Sequence, residues 1–374
     1  TFITVLCIAS RRVGKYFLRR IKHSIAERTT VAEFTYANAG VDIDNADATK
    51  REMARSLQTN DARVLNSNGA FATLFDGHFP HYQHPVLVLK SEEPGSKQKL
   101  AFEHGRYESV CYDLVNHLIN DIIVMGAHPL SMQDVIVCGK LEKDVITRVV
   151  DGMASACREQ ECTLTGGETS EQPGVVPEGT YILTASVVGL AEKSQIVDGK
   201  KIAAGDSVIA VASNGLHTNG YTLVRALLDA QSDLADADIA GESFLGAILR
   251  PHKCYYRAVR DLYTSDAMRG MAHITGGGIR DNLSRVLPDH LDAQIDLNAI
   301  DVLPVFKMLY ERGQLDPADM VRTFNMGVGL AMVVADRHRD SVIDHLNRND
   351  CHAYPIGTIV EGGKQVQFSG NLAL

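Results

Sequence analysis

DSVIAVASNGLHTNGYTLVRALLDA, residues 206–230, decides the fold class. The segment begins with a short run of apolar residues, which is typical of a buried strand. A turn rich in glycine and asparagine follows, and apolar residues then recur at helical spacing from Thr222 to Ala230. A strand that turns directly into a helix indicates an architecture that mixes strands and helices throughout.

The same alternation continues on both sides of this segment. We predict strands over His84–Leu89, Tyr181–Leu190 and Gly327–Ala335, and helices over Asp113–Met125 and Lys143–Cys157. The chain therefore belongs to the α/β (α+β) class. Its 374 residues exceed the commonest size of a single domain, so two domains are expected.

A polar segment that contains glycine, Asp198-Gly-Lys-Lys201, separates two blocks that each hold strands and helices. We predict one domain over residues 35–198 and a second over residues 199–374. Residues 1–34 form a basic leader, in which the first thirty residues contain seven Lys/Arg and one acidic residue. Such a leader is typical of an organelle transit segment, and an additional helix or added sequence without a chemical role is the alternative.

The composition argues against several classes of protein. A net charge of -9 argues against nucleic acid as a partner. The seven cysteines form no C-x-x-C pair, which favours a reducing compartment, and no apolar run approaches the ~20 residues of a membrane span. We expect a cytoplasmic protein, or an imported one if the leader is native. No G-x-x-x-x-G-K-[ST] motif occurs, so a P-loop is excluded.

Three segments place glycines after an apolar run. The first, Asn214–Tyr221, contains His217, which can donate to a phosphate or exchange a proton near neutral pH. The second is Ala272-His-Ile-Thr-Gly-Gly-Gly-Ile279, and in the third Glu168 follows two glycines at the predicted end of a strand. Free amides at the start of a helix bind anions, so these segments favour a phosphorylated ligand.

The helix predicted over Asp113–Met125 is apolar on most sides. Its polar residues recur at three- to four-residue spacing and form one stripe: Asp113, Asn116, His117, Asn120 and Asp121. A carboxylate on a buried helix needs a partner, which is either a metal ion or a nearby Arg or Lys. Asp113 and Asp121 lie about 12 Å apart along the helix, so they do not share one ion. Glu168 and Glu92 are our candidates for the second carboxylate beside Asp121.

Longer motifs connect these features in a fixed order along the chain. They are Tyr36-Ala-Asn-Ala-Gly-Val-Asp-Ile-Asp44, Val124-Met-Gly-Ala-His-Pro-Leu130, Gly166-Gly-Glu-Thr-Ser-Glu-Gln-Pro-Gly174, Gly215-Leu-His-Thr-Asn-Gly-Tyr221, Ala272-His-Ile-Thr-Gly-Gly-Gly278 and Arg322-Thr-Phe-Asn-Met-Gly-Val-Gly329. With them the chain resembles the phosphoribosylformylglycinamidine cyclo-ligase (aminoimidazole ribonucleotide synthetase) family, from Tyr36 to about Gly357.

The resemblance implies an architecture and a reaction. The N-terminal sheets of two protomers would pair into a barrel across a homodimer, with each C-terminal α/β domain alongside. ATP and Mg²⁺ would bind the N-terminal half, and a phosphorylated ribonucleotide would bind a groove shared by both domains. Formylglycinamidine ribonucleotide would be activated by phosphorylation of its amide oxygen and closed into aminoimidazole ribonucleotide.

The resemblance also implies site residues. The metal ligands would be Asp121, Glu168 and Glu92, and the catalytic residues would be His217, Asp121 and Lys97. The nucleotide would contact Gly69, Glu92, Lys97, Asn120, Asp121 and Glu168. The substrate would contact Asn214, Gly215, His217, Thr218, Asn219, Gly276, Gly277, Gly278 and Asn325.

Two segments depart from the family pattern. The stretch Gly-Gly-Phe-Gly-Gly-Leu reads Gly69-Ala-Phe-Ala-Thr-Leu74 here, with Ala70, Ala72 and Thr73 in place of glycines. The stretch Thr-Asp-Gly-Val-Gly-Thr-Lys reads Ser91-Glu-Glu-Pro-Gly-Ser-Lys97, which introduces Glu93 and Pro94. Both lie in the nucleotide half, so two alternatives stay open: a divergent ATP-dependent enzyme for a related amide or formyl substrate, and a non-catalytic homologue that binds a metabolite.

Overall fold

The structure is a computed structural model that describes Gly40, residues 42–66 and residues 70–374. Asp44–Leu374 forms one compact unit. The predicted leader, residues 1–34, and the predicted nucleotide contact Gly69 lie outside the described residues. The domain boundaries at residues 34 and 198 stay predictions.

The first half of the described chain builds a mixed sheet with helices on one face. Its elements are α1 (Ile43–Ser56), β1 (Pro85–Glu92), α2 (Lys97–Glu103), α3 (Tyr107–Ile123), β2 (His128–Cys138), α4 (Lys143–Glu159), β3 (Thr163–Glu171) and β4 (Tyr181–Glu192). The strand order is β1-β4-β2-β3, in which β2 and β3 are parallel and the other pairs are antiparallel.

The two faces of this sheet differ. Along β2, the buried Met132, Asp134 and Ile136 alternate with the more exposed Gln133, Val135 and Val137, as the two-residue period of a strand requires. Helices α3 and α4 pack on the face of Met132 and Ile136, where they form the core with it. The opposite face, which we call the open face, carries exposed Leu87 and Leu89.

The second half builds a larger sheet. Its elements are β5 (Ser207–Ala212), α5 (Tyr221–Ala230), β6 (Asp238–Ile239), β7 (Glu242–Ser243), α6 (Phe244–Ile248), α7 (Tyr256–Val259), β8 (Met268–His273), α8 (Gly278–Leu283), β9 (Leu291–Asp296), α9 (Pro304–Gly313), α10 (Pro317–Thr323), β10 (Val328–Val334), α11 (Arg339–Arg348), β11 (Ala353–Glu361) and β12 (Val366–Ser369). The order of the main sheet is β12-β9-β11-β5-β10-β8. The predicted α/β (α+β) class is confirmed.

One of the three glycine segments was wrongly placed. Gly166 and Gly167 lie inside β3 rather than in a turn that follows it. A Cβ atom at Gly167 would lie 2.0 Å from the carbonyl oxygen of Asp134 on the neighbouring strand. The close approach of β2 therefore explains this glycine, and no helix follows it to offer amides to an anion.

The polar stripe of α3 binds the main chain of the second half. Asp113 Oδ1 accepts the backbone N–H of His252 at 2.8 Å, and Asn116 Nδ2 donates to the carbonyl of His252 at 2.7 Å. Asn120 Nδ2 donates to the carbonyl of Lys253 at 2.8 Å, while its Oδ1 accepts the N–H of Tyr255 at 3.1 Å. Three of the five predicted stripe residues are thus hydrogen-bonded to main-chain groups of the second half.

Among the described residues, no helix is both long enough and apolar enough to cross a membrane.

Candidate active site

A cavity of about 600 Å³ opens where α3, the end of β1 and the end of β8 meet. One glycine, Gly276 in the loop after β8, lines this cavity. Its polar side chains come from both halves of the chain and include Lys90, Glu92, His117, Asp121, Asn219 and His273. The cavity therefore combines carboxylates, a cation, imidazoles and a backbone loop in one wall.

Two carboxylates of the cavity share one cation. Lys90 Nζ lies 2.9 Å from Glu92 Oε2 and 3.1 Å from Asp121 Oδ2. Burial opposes ionisation of Asp121, yet the hydrogen bond from His273 and the positive charge of Lys90 act against it, and the pKa of Asp121 lies well below its usual range. Asp121 is a carboxylate at neutral pH, in a place that already attracts positive charge.

A hydrogen-bonded chain leads from this carboxylate into the interior. His273 Nδ1 lies 2.7 Å from Asp121 Oδ1, and His273 Nε2 lies 3.0 Å from Nε2 of His252. Because a carboxylate only accepts, His273 carries its proton on Nδ1 in its neutral form. Its Nε2 then accepts from His252 Nε2–H, which leaves His252 Nδ1 without a proton and without a partner in residues 42–66 and 70–374.

His117 completes the imidazole part of the wall. Its Nδ1 lies 3.0 Å from Thr218 Oγ1, and its Nε2 lies 3.7 Å from Asp121 Oδ2. Burial lowers the pKa of His117 to about 4, with His273 acting in the same direction and Asp121 opposing both. His117 is therefore neutral at pH 7, and one of its ring nitrogens can donate a hydrogen bond while the other accepts one.

The sequence models of two domains match most of the chain. The N-terminal domain of AIR synthase related proteins matches residues 84–191, and the C-terminal domain of the same family matches residues 203–368. The chain belongs to this family. The two-domain arrangement that was predicted fits these two models.

Curated relatives agree with this assignment over nearly their whole length. A phosphoribosylformylglycinamidine cyclo-ligase of Burkholderia cenocepacia is 41% identical over 87% of this chain and 93% of its own. The enzyme of the same name from Chromobacterium violaceum is 40% identical over 90% of this chain and 98% of its own.

Solved structures show the same fold at lower identity. E. coli HypE has a TM-score of 0.64 at 15% identity, covering 87% of this chain and 94% of its own. Thiamine-monophosphate kinase from Stenotrophomonas maltophilia K279a has a TM-score of 0.61 at 20% identity, covering 86% and 96%. At these identities the likeness concerns the fold alone.

The structure of this AIR synthase family member brings four predicted residues to the cavity: Glu92, Asp121, Asn219 and Gly276. Gly277 instead lines a second cavity of about 750 Å³ on the other side of the loop. Gly278 is buried with a φ of +62°, and a Cβ atom there would lie 2.0 Å from the carbonyl oxygen of Val321. Close packing accounts for this last glycine.

Lys97, which was predicted to contact the nucleotide, lies in the interior of the structure. Its side chain is completely buried, and its ammonium lies 2.7 Å from Asp113 Oδ1, 3.2 Å from the carbonyl of His217 and 2.7 Å from the carbonyl of Arg250. Burial lowers the pKa of Lys97 and raises that of Asp113 to about 6, although the ion pair opposes both shifts. An ammonium with three internal acceptors holds the loop of His217 in place and has no donor left for a nucleotide.

The ring of His217, which was predicted to contact the substrate, also lies in the interior. The residue is 2% exposed, its backbone has a φ of +62°, and its ring stacks on His252 with centroids 3.8 Å apart. The ring therefore faces the interior, and the histidines of the cavity wall are His117 and His273. A role for His217 in the reaction stays a prediction.

Several other predicted contacts serve the architecture. Asn120 is fully buried against the main chain, as described above, and Thr218 bonds to His117. Asn214 Nδ2 donates to the carbonyl of Pro251 at 2.8 Å. Asn325 Nδ2 donates to the carbonyl of Gly215 at 2.9 Å, so these two predicted residues bind each other. In this conformation their polar groups are directed into the protein.

Glu168 does not reach Asp121 within one chain. Glu168 pairs with Val135 on β2, Val135 pairs with Thr184 on β4, and the neighbouring Ala185 pairs with Glu92 on β1. Three strand spacings of ~4.8 Å separate Glu168 from Glu92 by roughly 14 Å. Glu168 also lies on the open face, opposite the cavity, so only Glu92 and Asp121 of the predicted ligands lie together within one chain, and the role of Glu168 stays a prediction.

One altered glycine position has a clear structural partner. Thr73 Oγ1 donates to the carbonyl of Thr165 on β3 at 2.6 Å, which attaches its segment to the edge of the sheet. Ala70 and Ala72 are exposed, as is Glu93, whereas Pro94 is buried. The effect of these replacements on ATP use stays untested.

The wall residues that sequence reasoning missed include Lys90, His117 and His273. Lys90 is a cation near the end of the apolar strand β1, and His273 directly precedes the Ile-Thr-Gly-Gly-Gly loop. His117 was placed on the polar stripe of α3 but was not assigned a role. A polar residue at the end of an apolar strand was the signal in two of these three cases.

Proposed function

We propose that this chain is an ATP-dependent cyclo-ligase of purine biosynthesis, which converts formylglycinamidine ribonucleotide into aminoimidazole ribonucleotide. The observation that carries the proposal is the agreement with enzymes named phosphoribosylformylglycinamidine cyclo-ligase, at 41% identity over 93% of their length. The cavity adds a chemical argument, since its residues suit a reaction between two phosphorylated ligands.

The reaction needs an activated leaving group. The oxygen of a formyl amide leaves poorly, so the γ-phosphoryl group of ATP is first transferred to it. The amidine nitrogen then attacks the activated carbon, and inorganic phosphate departs. In such a reaction the protein mainly positions the reactants and neutralises charge on the phosphoryl oxygens.

The donor set of the cavity fits a magnesium ion. Oxygens of Glu92 and Asp121 already converge on one cationic atom, Lys90 Nζ, and carboxylates are the ligands that Mg²⁺ prefers. Glu92 and Asp121 would hold the ion, which would offset negative charge on the phosphates. Lys90 supplies a second positive charge to the same wall.

The imidazoles and the glycine loop complete the proposed binding surface. His273 is fixed by its hydrogen bond to Asp121, and this bond keeps the carboxylate oriented toward the cavity. Neutral His117 suits hydrogen bonding better than proton abstraction, because a base works best when its pKa lies near the working pH. Asn219 and Gly276 come from the second half, so a ligand in the cavity contacts both halves.

The test is a coupled assay of both products. Purified protein with ATP, Mg²⁺ and formylglycinamidine ribonucleotide should form ADP and aminoimidazole ribonucleotide in equal amounts. Asp121→Asn should lower turnover by at least tenfold while the melting temperature stays close to that of the wild type. ATP hydrolysis without the aminoimidazole product would favour a divergent enzyme, and a folded protein without turnover would favour a metabolite-binding homologue.

We also propose that the active form is a homodimer joined through the open face. Large apolar side chains are exposed there on three strands: Leu87 (57%), Leu89 (70%), Val135 (37%) and Ile182 (39%). Soluble monomers rarely expose a contiguous apolar patch of this kind. A second copy offers an identical, equally apolar sheet, and Glu168 would then lie at the interface between the protomers.

Light scattering after size exclusion tests the dimer. The wild type should elute with twice the chain mass of 40.8 kDa. Leu89→Glu should shift the mass toward one chain, because a buried unpaired charge opposes association. Leu65→Glu, at an exposed leucine of the segment before β1, serves as the matched control. A monomeric wild type would contradict the proposal.

A further inference from the structure

Three histidine rings meet in the interior behind the cavity wall. His217, His252 and His273 are 2%, 1% and 5% exposed, and one ring nitrogen of each lies within 4.8 Å of the others. They come from three separate segments: the loop after β5, the segment before α7 and the end of β8. Their meeting is a property of the fold that no short motif contains.

Three of the six ring nitrogens in this cluster lack partners among the described residues. Both ring nitrogens of His217 and Nδ1 of His252 are buried without a hydrogen bond among the described residues. A buried polar atom without a partner costs about 1–3 kcal/mol, and native proteins contain few of them. Three such atoms on two adjacent rings indicate that a partner of another kind belongs among them.

The third ring already has the arrangement of a metal ligand. His273 donates its Nδ1 proton to Asp121 and points Nε2 at Nε2 of His252, 3.0 Å away. Histidines that bind metals commonly donate their second ring N–H to a carboxylate, which orients the ring and makes it a better ligand. Two ligand nitrogens on one tetrahedral ion, each about 2.0–2.1 Å from it, lie at a similar separation.

We infer that His217, His252 and His273 form a binding site for one divalent transition-metal ion, with Zn²⁺ as the best fit. Three neutral imidazoles suit Zn²⁺ and its neighbours far better than Mg²⁺, which prefers oxygen ligands. The ion takes the place of the proton between His252 and His273. This site is separate from the two carboxylates to which the proposed function assigns magnesium.

Binding requires one local adjustment. The rings of His217 and His252 are nearly parallel, at an interplanar angle of 21°, so their in-plane lone pairs do not yet converge. The ring of His217 turns to direct one nitrogen at the ion, and it breaks no hydrogen bond in doing so because it makes none with the part of the chain that the structure describes. The ion enters from the cavity, whose wall includes His273.

A second set of candidate ligands overlaps with this one. His117, Asp121 and His273 also have ligand atoms within 4.8 Å of one another. In that set, however, Asp121 Oδ1 accepts the His273 Nδ1 proton and Asp121 Oδ2 faces the Lys90 ammonium. A metal ion bound by His273 Nδ1 there would break the Asp121–His273 hydrogen bond, whereas an ion at the interior set leaves that bond intact and gains a His217 nitrogen that has no partner among the described residues.

The test is a titration of the full-length protein with Co²⁺, whose visible absorption reports tetrahedral coordination. The wild type should bind one ion per chain, and Zn²⁺ should displace it. His252→Gln and His217→Gln should each weaken binding by more than about a hundredfold, and Asp121→Asn by about 10- to 100-fold, as expected for a ligand and for the residue that orients one. His290→Gln, at an exposed histidine, should change nothing.

Melting curves of the metal-free variants separate loss of the ion from loss of the fold. X-ray absorption of the cobalt-loaded wild type should count three imidazole nitrogens and needs no variant. Absence of Co²⁺ binding by the wild type would overturn the inference. So would binding that persists in His252→Gln but disappears in His117→Gln, since the ion would then occupy the cavity wall. None of these measurements depends on turnover.

Discussion

Helix α3 carries two aspartates that each pair with a lysine from another element, Asp113 with Lys97 of α2 and Asp121 with Lys90 of β1. The Lys97–Asp113 pair has an Nζ–Oδ1 distance of 2.7 Å, and both side chains are 0% exposed. In the Lys90–Asp121 pair the Nζ–Oδ2 distance is 3.1 Å, but the side chains are 37% and 18% exposed. The aspartates are eight residues apart on the same face of one helix.

The comparison shows how burial divides the roles of similar residues. The Lys97 ammonium is surrounded by acceptors of the protein, so the inner pair joins α2, α3 and the loop of His217. The outer pair faces the cavity, where water or a ligand can reach its charges. A carboxylate on the polar stripe is therefore structural at one end of the helix and available for chemistry at the other.

Removing the inner cation should have the largest effect. Lys97→Met leaves Asp113 buried without its counter-charge, which should lower the free energy of unfolding by about 3–5 kcal/mol. Chemical denaturation followed by circular dichroism measures this loss. Adding Asp113→Asn should restore part of the stability, because no unpaired charge then remains. A single variant as stable as the wild type would show that the pair is not structural.

Acid should act next, through the histidine that lies between the two pairs. Burial lowers the pKa of His117 to about 4, whereas an unfolded histidine titrates near 6.5. Below pH 6.5 His117 binds a proton in the unfolded state but stays neutral in the folded state. The free energy of unfolding therefore falls as the pH drops from about 7 to 4. The contribution of His117 is up to about 3 kcal/mol.

Denaturation midpoints at a series of pH values measure this dependence. His117→Gln should flatten the curve between pH 7 and 4, since its unfolded state takes up one proton fewer. His290→Gln, at an exposed histidine, should leave the slope of the wild type unchanged. Parallel curves for His117→Gln and the wild type would assign the acid sensitivity to other groups.

Removing the outer cation should have the smallest effect on stability. Lys90→Met breaks contacts with Glu92 and Asp121, but all three side chains are partly solvated. Such pairs contribute about 0–1 kcal/mol, so the unfolding free energy should change by less than 1 kcal/mol. The same denaturation experiment compares it directly with Lys97→Met. Equal losses in the two variants would remove the distinction between an inner and an outer pair.

The fold followed from the sequence because it depends on local patterns. The predicted strand over Tyr181–Leu190 is β4, and the predicted helix over Lys143–Cys157 is α4 with two further residues. The spacing of apolar residues along the sequence is enough to locate such strands and helices. The prediction for the segment around Gly166 was wrong because its glycines were interpreted as a turn. The close approach of Asp134 on the neighbouring strand explains the glycine at position 167.

The site was only partly predictable, because distance in space and burial are not written in any one segment. Glu92 and Asp121 reach one cavity as expected. Glu168 lies three strands away from Glu92 and on the opposite face, which the sequence did not indicate because strand order and face are properties of the folded sheet. Its role as a metal ligand stays a prediction. The nucleotide contact of Lys97 came from the family resemblance, and a motif does not indicate that the side chain is completely buried, so this contact stays a prediction.

The bonds from α3 to the segment before α7 have a consequence for how this protein tolerates change. Asn116 and Asn120 recognise main-chain groups of His252, Lys253 and Tyr255, whatever their side chains are. Side-chain replacements such as Lys253→Ala leave this docking intact. An insertion or deletion of one residue there moves every main-chain donor and acceptor out of register with α3. The hydrogen bonds therefore depend on the length of this segment and little on its side chains.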